Sequence, residues 1–144
     1  MNNSTLNLDR LAAQHAQEII RRLVIEEAQK DKKSKQDLAR STDNTVTKAL
    51  GVLQEDGVYA CFLYLLAREK ENGKVVVDEM LSLLEGLGFG WKKPTQNGQS
   101  DLKPETVLRY ITENVAADLQ RLLLAKETLE QMLIYARYGA KAQE

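Results

Sequence analysis

Directly after an Asp-Gly turn signal at Asp56-Gly57, the chain runs through VYACFLYLLA, ten residues from Val58 to Ala67 without a charge. Wound at 3.6 residues per turn, Val58, Cys61, Phe62 and Leu65 form one row, Tyr59, Leu63 and Leu66 a second, and Ala60, Tyr64 and Ala67 a third. A helix that is apolar on every row has no face to offer water, so the pattern predicts a central helix with neighbours all round. The run is well short of the roughly 20 residues that cross a bilayer, and Arg68, Glu69 and Lys70 end it with charge. Its cover must therefore come from protein.

The flanking sequence supplies that cover as more helices. Ser4 or Asn7 can cap a first helix reaching about Gln29, with Leu8, Leu11, Ala12, Ala16, Ile19, Ile20 and Leu23 as its apolar stripe and Glu18, Arg21, Arg22 and Glu26 mainly opposite. The segment 29–35, QKDKKSK, breaks the periodicity with four lysines against one aspartate and reads as an exposed basic link. Gln36 to Arg40 then gives a short helical turn. Asp43 or Asn44 can cap the next helix, whose buried side is Val46, Ala49, Leu50 and Leu53. Beyond the apolar run, Asn72-Gly73 is a second turn signal, after which Val76, Met80, Leu83, Leu84 and Leu87 step at three and four residues from Lys74 onward. Asp78, Glu79 and Glu85 are expected to keep the other side of that helix wet. The segment 88–103 is the one long Gly- and Pro-containing loop. Pro104 suits the first turn of a further helix with Val107, Leu108 and Ile111 on its apolar side. From about Asn114 a long stripe runs through Val115, Leu119, Leu122, Leu129, Leu133 and Ala136, interrupted by Lys126, which either snorkels past the helix edge or meets a ligand. The expectation is an all-α fold: residues 1–144 as a single compact bundle of about five to seven helices around the apolar one.

A chain of 144 residues can bury about two-thirds of its unfolded surface without disulfide or metal support. Its 20 Lys and Arg nearly balance 21 Asp and Glu, and a pI near 5.9 gives no global pull toward nucleic acid, so any polyanion contact must be local. The single cysteine fits a reducing compartment, and the first residues lack the basic start and apolar stretch of a secretory signal, which points to the cytoplasm and to no membrane partner.

Little in the chain suggests catalysis. One Cys and one His cannot build a zinc site, so no metal and no cofactor are expected. His15 falls on the row Leu11, His15, Ile19 and reads as a partly buried helix residue, and Cys61 lies in apolar surroundings that suppress its thiolate. The glycines of GLGFG lack the spacing of a phosphate-cradling loop. The expectation is that the chain is not an enzyme.

Two segments carry a family resemblance. Val52 and Leu53, then Asp56-Gly57, then VYACFLYLLAR resemble a helix, tight turn and apolar helix with a closing base; Gln120 to Ala142, with Lys126-Glu127, Tyr135 and Arg137-Tyr138, is similar to a last helix with a basic-aromatic step. Both patterns belong to the small subunit of the Cmr-type (type III-B) CRISPR RNA-guided effector complex, whose members are all-helical and of this length. The resemblance implies an antiviral, non-catalytic architectural role: several copies stack head to tail beside the filament that holds the guide RNA, lining the channel where guide and target RNA pair, with other effector subunits as partners. Such a role needs phosphate contact without base reading, because the guide supplies the sequence. Lys48, Arg68, Lys126, Arg137 and Lys141 lie on or beside the resembling segments and are the implied nucleic-acid contacts.

Head-to-tail stacking also needs complementary ends. Lys30, Lys32, Lys33, Lys35, Arg40 and Lys48 against Asp31, Asp37 and Asp43 give +3 between Gln29 and Lys48, while Arg68, Lys70 and Lys74 against Glu55, Asp56, Glu69, Glu71, Asp78, Glu79 and Glu85 give -4 between Gln54 and Glu85. Exposed ion pairs contribute only on the order of 0–1 kcal/mol each, so the free protein is expected to be mostly monomeric. Two other classes fit the residues. KSKQDLARSTDNTVTKALGVLQEDGVY also reads as a helix-turn-helix of a DNA-binding regulator, with a recognition-like helix from Asn44 to Gln54. A helical protein–protein adaptor without nucleic acid is the third.

Overall fold

The computed structural model describes residues 6–30 and 33–144 of the chain. Ser4 and the Asp31 and Lys32 of the basic link lie outside them. Asn7 opens the first helix, its side chain accepting from the Arg10 amide at 3.0 Å, and Leu8–Ile20 (α1) continues through a π-helical turn at Arg21–Ile25 into Glu26–Lys30 (α2). The long helices Lys35–Asp56 (α3), Val58–Arg68 (α4) and Lys70–Gly86 (α5) follow. A small hairpin pairs Thr95–Gln96 (β1) with Gln99–Ser100 (β2), and Pro104–Glu113 (α6), a 3-10 turn at Val115–Ala117 and Leu119–Ala142 (α7) complete the order. The fold is all-α apart from that hairpin.

The core forms where these helices share small and branched side chains. Helix α7 packs on α1 and α3, while α4 packs on α3, α5 and α6. Asp9 meets Tyr135 and Ile20 meets Gly139, so α1 and α7 run parallel. In contrast, Leu11 abuts Gly86 and Arg22 reaches Asp78, so α5 runs back along α1. Phe62, Leu53, Leu65, Met80, Leu84, Ile111, Leu129 and Met132 are fully buried at the centre.

Several boundaries differ from the expectation, each for a visible reason. No turn separates Gln36–Arg40 from the following helix: α3 is continuous, capped by Ser34 at its start, and Asp43 and Asn44 sit within it. The two-helix geometry that a helix-turn-helix requires is not formed. Asp43 instead accepts from Thr47 and pairs with Lys141. Gly57 does break the chain, at φ 100°, a conformation that favours glycine. Asn72-Gly73 does not. The break falls earlier, at Lys70 with φ 50°, and Gly73 lies in the first turn of α5, where an added Cβ would stand 2.3 Å from the Leu65 carbonyl oxygen. Glycine is needed there for close helix approach.

The 88–103 segment is more ordered than a plain loop. Asn97 and Gly98 both take positive φ, at 55° and 78°, which is the combination that closes a two-residue hairpin with the right twist. Trp91 is buried beside it, and its carbonyl accepts from the Tyr110 hydroxyl at 2.9 Å. The last helix begins at Leu119, after Asp118 caps it through the Arg121 amide, and its buried stripe is Ala125, Thr128, Leu129, Met132, Leu133, Ala136 and Ala140.

The largest correction concerns α4. Only one of its three rows is covered: Val58, Cys61, Phe62 and Leu65 are buried, whereas Tyr59 is 43% and Leu63 45% exposed, with Leu66 and Tyr64 half-buried. Helices α3, α5 and α6 enclose one side of α4 and leave the other open. Among the described residues, no helix is long and apolar enough to cross a membrane.

Candidate nucleic-acid interface

The five implied cations are spread over α3, α4 and α7. Lys141, exposed in the last turn of α7, lies 3.2 Å from Asp43 on α3. Arg137 is one turn earlier on the same face of α7, and the exposed Lys48 is five residues beyond Asp43 on α3. Arg137 and Lys141 therefore share a face at the end of α7 beside Asp43, while Lys48 lies about 140° around α3 from Asp43. Arg68 stands apart, exposed at the end of α4, and Lys126 is half-buried about 16 Å before Arg137 along α7. The half-buried position of Lys126 fits a stem that packs along the helix with its ammonium at the edge.

Arg137 is held differently from the others. Its Nε is buried and lacks a hydrogen-bond partner among the described residues, while its guanidinium carbon lies 6.0 Å from the centroid of the Tyr138 ring. A buried N–H without a partner is costly, and this one is enclosed by the fold and does not face outward.

A second charged constellation went unseen in the sequence because its members are scattered from His15 to Ser100. His15 Nδ1 donates to Glu79 at 2.9 Å, and Arg22 donates to Asp78 and Glu79 at 2.8 Å each. Ser100 donates to Asp78 at 2.5 Å, and the Lys93 ammonium lies 3.6 Å from Asp78 while donating to Ser82 at 2.8 Å. Burial alone would raise the Asp78 carboxyl, but the hydrogen bonds from Ser100 and Arg22 and the charges of Lys93 and Arg22 hold it below the usual carboxylate range. This network ties the hairpin to α5 and α5 to α1. Glu79 is buried and Asp78 largely enclosed, so these two do not keep α5 wet as the sequence suggests. His15 is the partly buried helix residue that its row implies. Burial pushes the Cys61 thiol up to about 12, in line with an unreactive cysteine.

Of the two opposed charge patches, the acidic one is largely absorbed within the chain. Glu69 accepts from Thr45 at 2.7 Å and Tyr64 at 2.5 Å, Glu85 accepts from the Lys93 amide at 3.1 Å, and Asp78 and Glu79 serve the network just described. Four of the seven acids between Gln54 and Glu85 are thus engaged inside the fold. In the other patch Asp37 takes Arg40 at 3.1 Å, an internal pair that leaves its net charge unchanged.

Among the described residues, no group of three or more His, Cys, Asp and Glu side chains is arranged to hold a metal ion. Comparison with protein-family models, curated proteins and solved structures finds no match to this chain.

Proposed function

We propose that this chain is a non-catalytic structural subunit of a type III CRISPR RNA-guided effector, of the Cmr small-subunit kind, stacked in several copies along the guide-RNA filament and touching the guide–target duplex through phosphate-binding cations. The observation that carries the reading is the paired resemblance of Val52–Arg68 and Gln120–Ala142, which fall on α3–α4 and α7 of an all-helical fold. Lys48, Arg137 and Lys141 stand on adjacent helices of that fold, and their aliphatic stems and cationic heads suit contact with a phosphate backbone regardless of sequence.

Replacing Lys48, Arg68, Lys126, Arg137 and Lys141 with Ala in the assembled effector tests it. For every phosphate-binding cation so removed, the logarithmic salt dependence of target-RNA binding should flatten by roughly 0.7–0.9. Binding that keeps its affinity and its salt slope would remove the assignment. A protein–protein adaptor without nucleic acid is the second reading, and the open row of Tyr59 and Leu63 on α4 is the observation that favours it.

A further inference from the structure

The chain contains the dipeptide Asn-Gly twice, at Asn72-Gly73 and Asn97-Gly98, and the fold places the two in opposite surroundings. In this dipeptide the glycine nitrogen can attack the carboxamide carbon of the asparagine before it, because glycine brings no Cβ to block the approach and leaves the backbone free to turn. The attack has local requirements. The glycine N–H must be unshared, the carboxamide must be able to swing onto it, and the backbone between them must rotate.

Asn72-Gly73 fails on each count. The Gly73 N–H donates to the Glu69 carbonyl at 3.0 Å in the first turn of α5, and the residue is buried. The Asn72 carboxamide is pinned to α3, donating to the Ser41 hydroxyl at 2.9 Å and the Thr45 hydroxyl at 3.2 Å. The Leu65 carbonyl crowds the Gly73 backbone, so neither residue turns without parting α5 from α4. Asn97-Gly98 satisfies every requirement. Both residues are exposed at the hairpin tip, nothing lies within 4 Å of the position a Gly98 Cβ would take, and among the described residues neither the Gly98 amide nor the Asn97 carboxamide has a hydrogen-bond partner. Rotation at Asn97 opens only a turn closed by the pairs Thr95 with Ser100 and Gln96 with Gln99, and so short a ladder lies at the low end of local stability.

We infer that Asn97 is a site of spontaneous covalent modification, at which the folded chain converts its own asparagine to aspartate and isoaspartate. Water is the only co-reactant. The Gly98 nitrogen gives up its proton to solvent and bonds to Asn97 Cγ; the bond from Cγ to the carboxamide nitrogen breaks, and that nitrogen leaves as ammonia with a proton returned by solvent. The product is a five-membered succinimide. Water then adds to one of the two ring carbonyls. Cleavage between Cγ and the Gly98 nitrogen gives aspartate, and cleavage between the main-chain carbonyl carbon and the Gly98 nitrogen gives isoaspartate, with no change of oxidation state. Both products add a negative charge, and isoaspartate also adds a methylene to the main chain, so the two-residue turn no longer closes. The hairpin is fastened to α5 by Ser100 on Asp78 and Lys93 on Ser82, and the conversion loosens that fastening while leaving the helical core intact.

Peptide mass spectrometry of the full-length chain aged at mildly alkaline pH, folded and in urea, tests the site. In urea both dipeptides should gain the mass of an OH-for-NH2 exchange at similar rates. In the folded chain Asn97 should convert at least about tenfold faster than Asn72, and an isoaspartyl methyltransferase with S-adenosylmethionine should label the peptide that contains Asn97. Equal rates at the two positions in the folded chain, or faster conversion of Asn72, would overturn the site. The Asp101 amide, which donates across the hairpin to the Pro94 carbonyl at 2.9 Å, reports on the consequence. Its hydrogen exchange should quicken at least about tenfold in the isoaspartate form and stay unchanged in aged Asn97→Gly protein, whose turn accepts positive φ and lacks the carboxamide. An unchanged rate in the isoaspartate form would overturn the loosening.

Discussion

The two long faces of α4 are equally apolar in sequence and unequal in structure. Val58, Cys61, Phe62 and Leu65 are at most 4% exposed, while Tyr59 and Leu63, one residue away from members of that row, are more than two-fifths exposed. The first face is held by α3, α5 and α6; among the described residues, no helix covers the second. Apolarity along a helix records every surface it must cover over its working life, and the fold of a single chain accounts for only part of that. The same division recurs in α7, where Leu129 and Leu133 are fully buried and Leu119 and Leu123 stand in the open.

Substitutions on the two faces should therefore differ sharply. Phe62→Ala removes a fully buried ring from the covered row and should cost about 3–5 kcal/mol in chemical denaturation; a loss under about 1 kcal/mol would show that this row is not packed as described. Gly73→Ala should cost about 2–3 kcal/mol, since its Cβ meets the Leu65 carbonyl at the end of the same row. A neutral or stabilising effect would show that the end of α4 does not approach α5 closely at Gly73.

A smaller loss, about 2 kcal/mol, is expected for Asp78→Asn, which weakens bonds to Arg22 and Ser100 and so loosens the hairpin from α5. The Asp78 carboxyl titrates below its unfolded value, so its contribution is present above the ordinary carboxylate range and is lost as pH falls through the lowered folded value. Thermal melts of the wild type and Asp78→Asn should accordingly converge in acid and separate toward neutrality; a constant gap across that range would discount the network. Least of all, Leu63→Gln on the open row should change stability by no more than about 0.5 kcal/mol. A cost comparable to Phe62→Ala would mean that the second face is covered after all.

Periodicity at three and four residues is enough to read most of the helices, because the stripes of α1 and α5, and that of α7 from Leu129 onward, recur in the core much as spaced, whereas the expected stripe position Leu119 is exposed because the core does not reach the start of α7. The Gly57 break is legible for a local reason, a positive φ that glycine tolerates. Gly73 misleads because the same residue type also serves close approach, and that depends on Leu65 being opposite it in space. Likewise Asp43 and Asn44 have the chemistry of helix caps, but Asp43 commits its carboxylate to Thr47 and Lys141, and a partner nearly a hundred residues away leaves no local trace. Of the candidate interface, the cations are legible one by one. The meeting of Lys141 with Asp43, the orphaned Nε of Arg137 and the His15–Glu79–Arg22–Asp78 network follow from tertiary packing.

The architectural role is tested most directly by isolating the chain from its native cell under gentle salt and identifying what accompanies it. Guide RNA and the remaining effector subunits are expected, with more than one copy of this chain per complex. Recovery of the chain with protein partners but no RNA, or on a specific DNA duplex, would contradict that role.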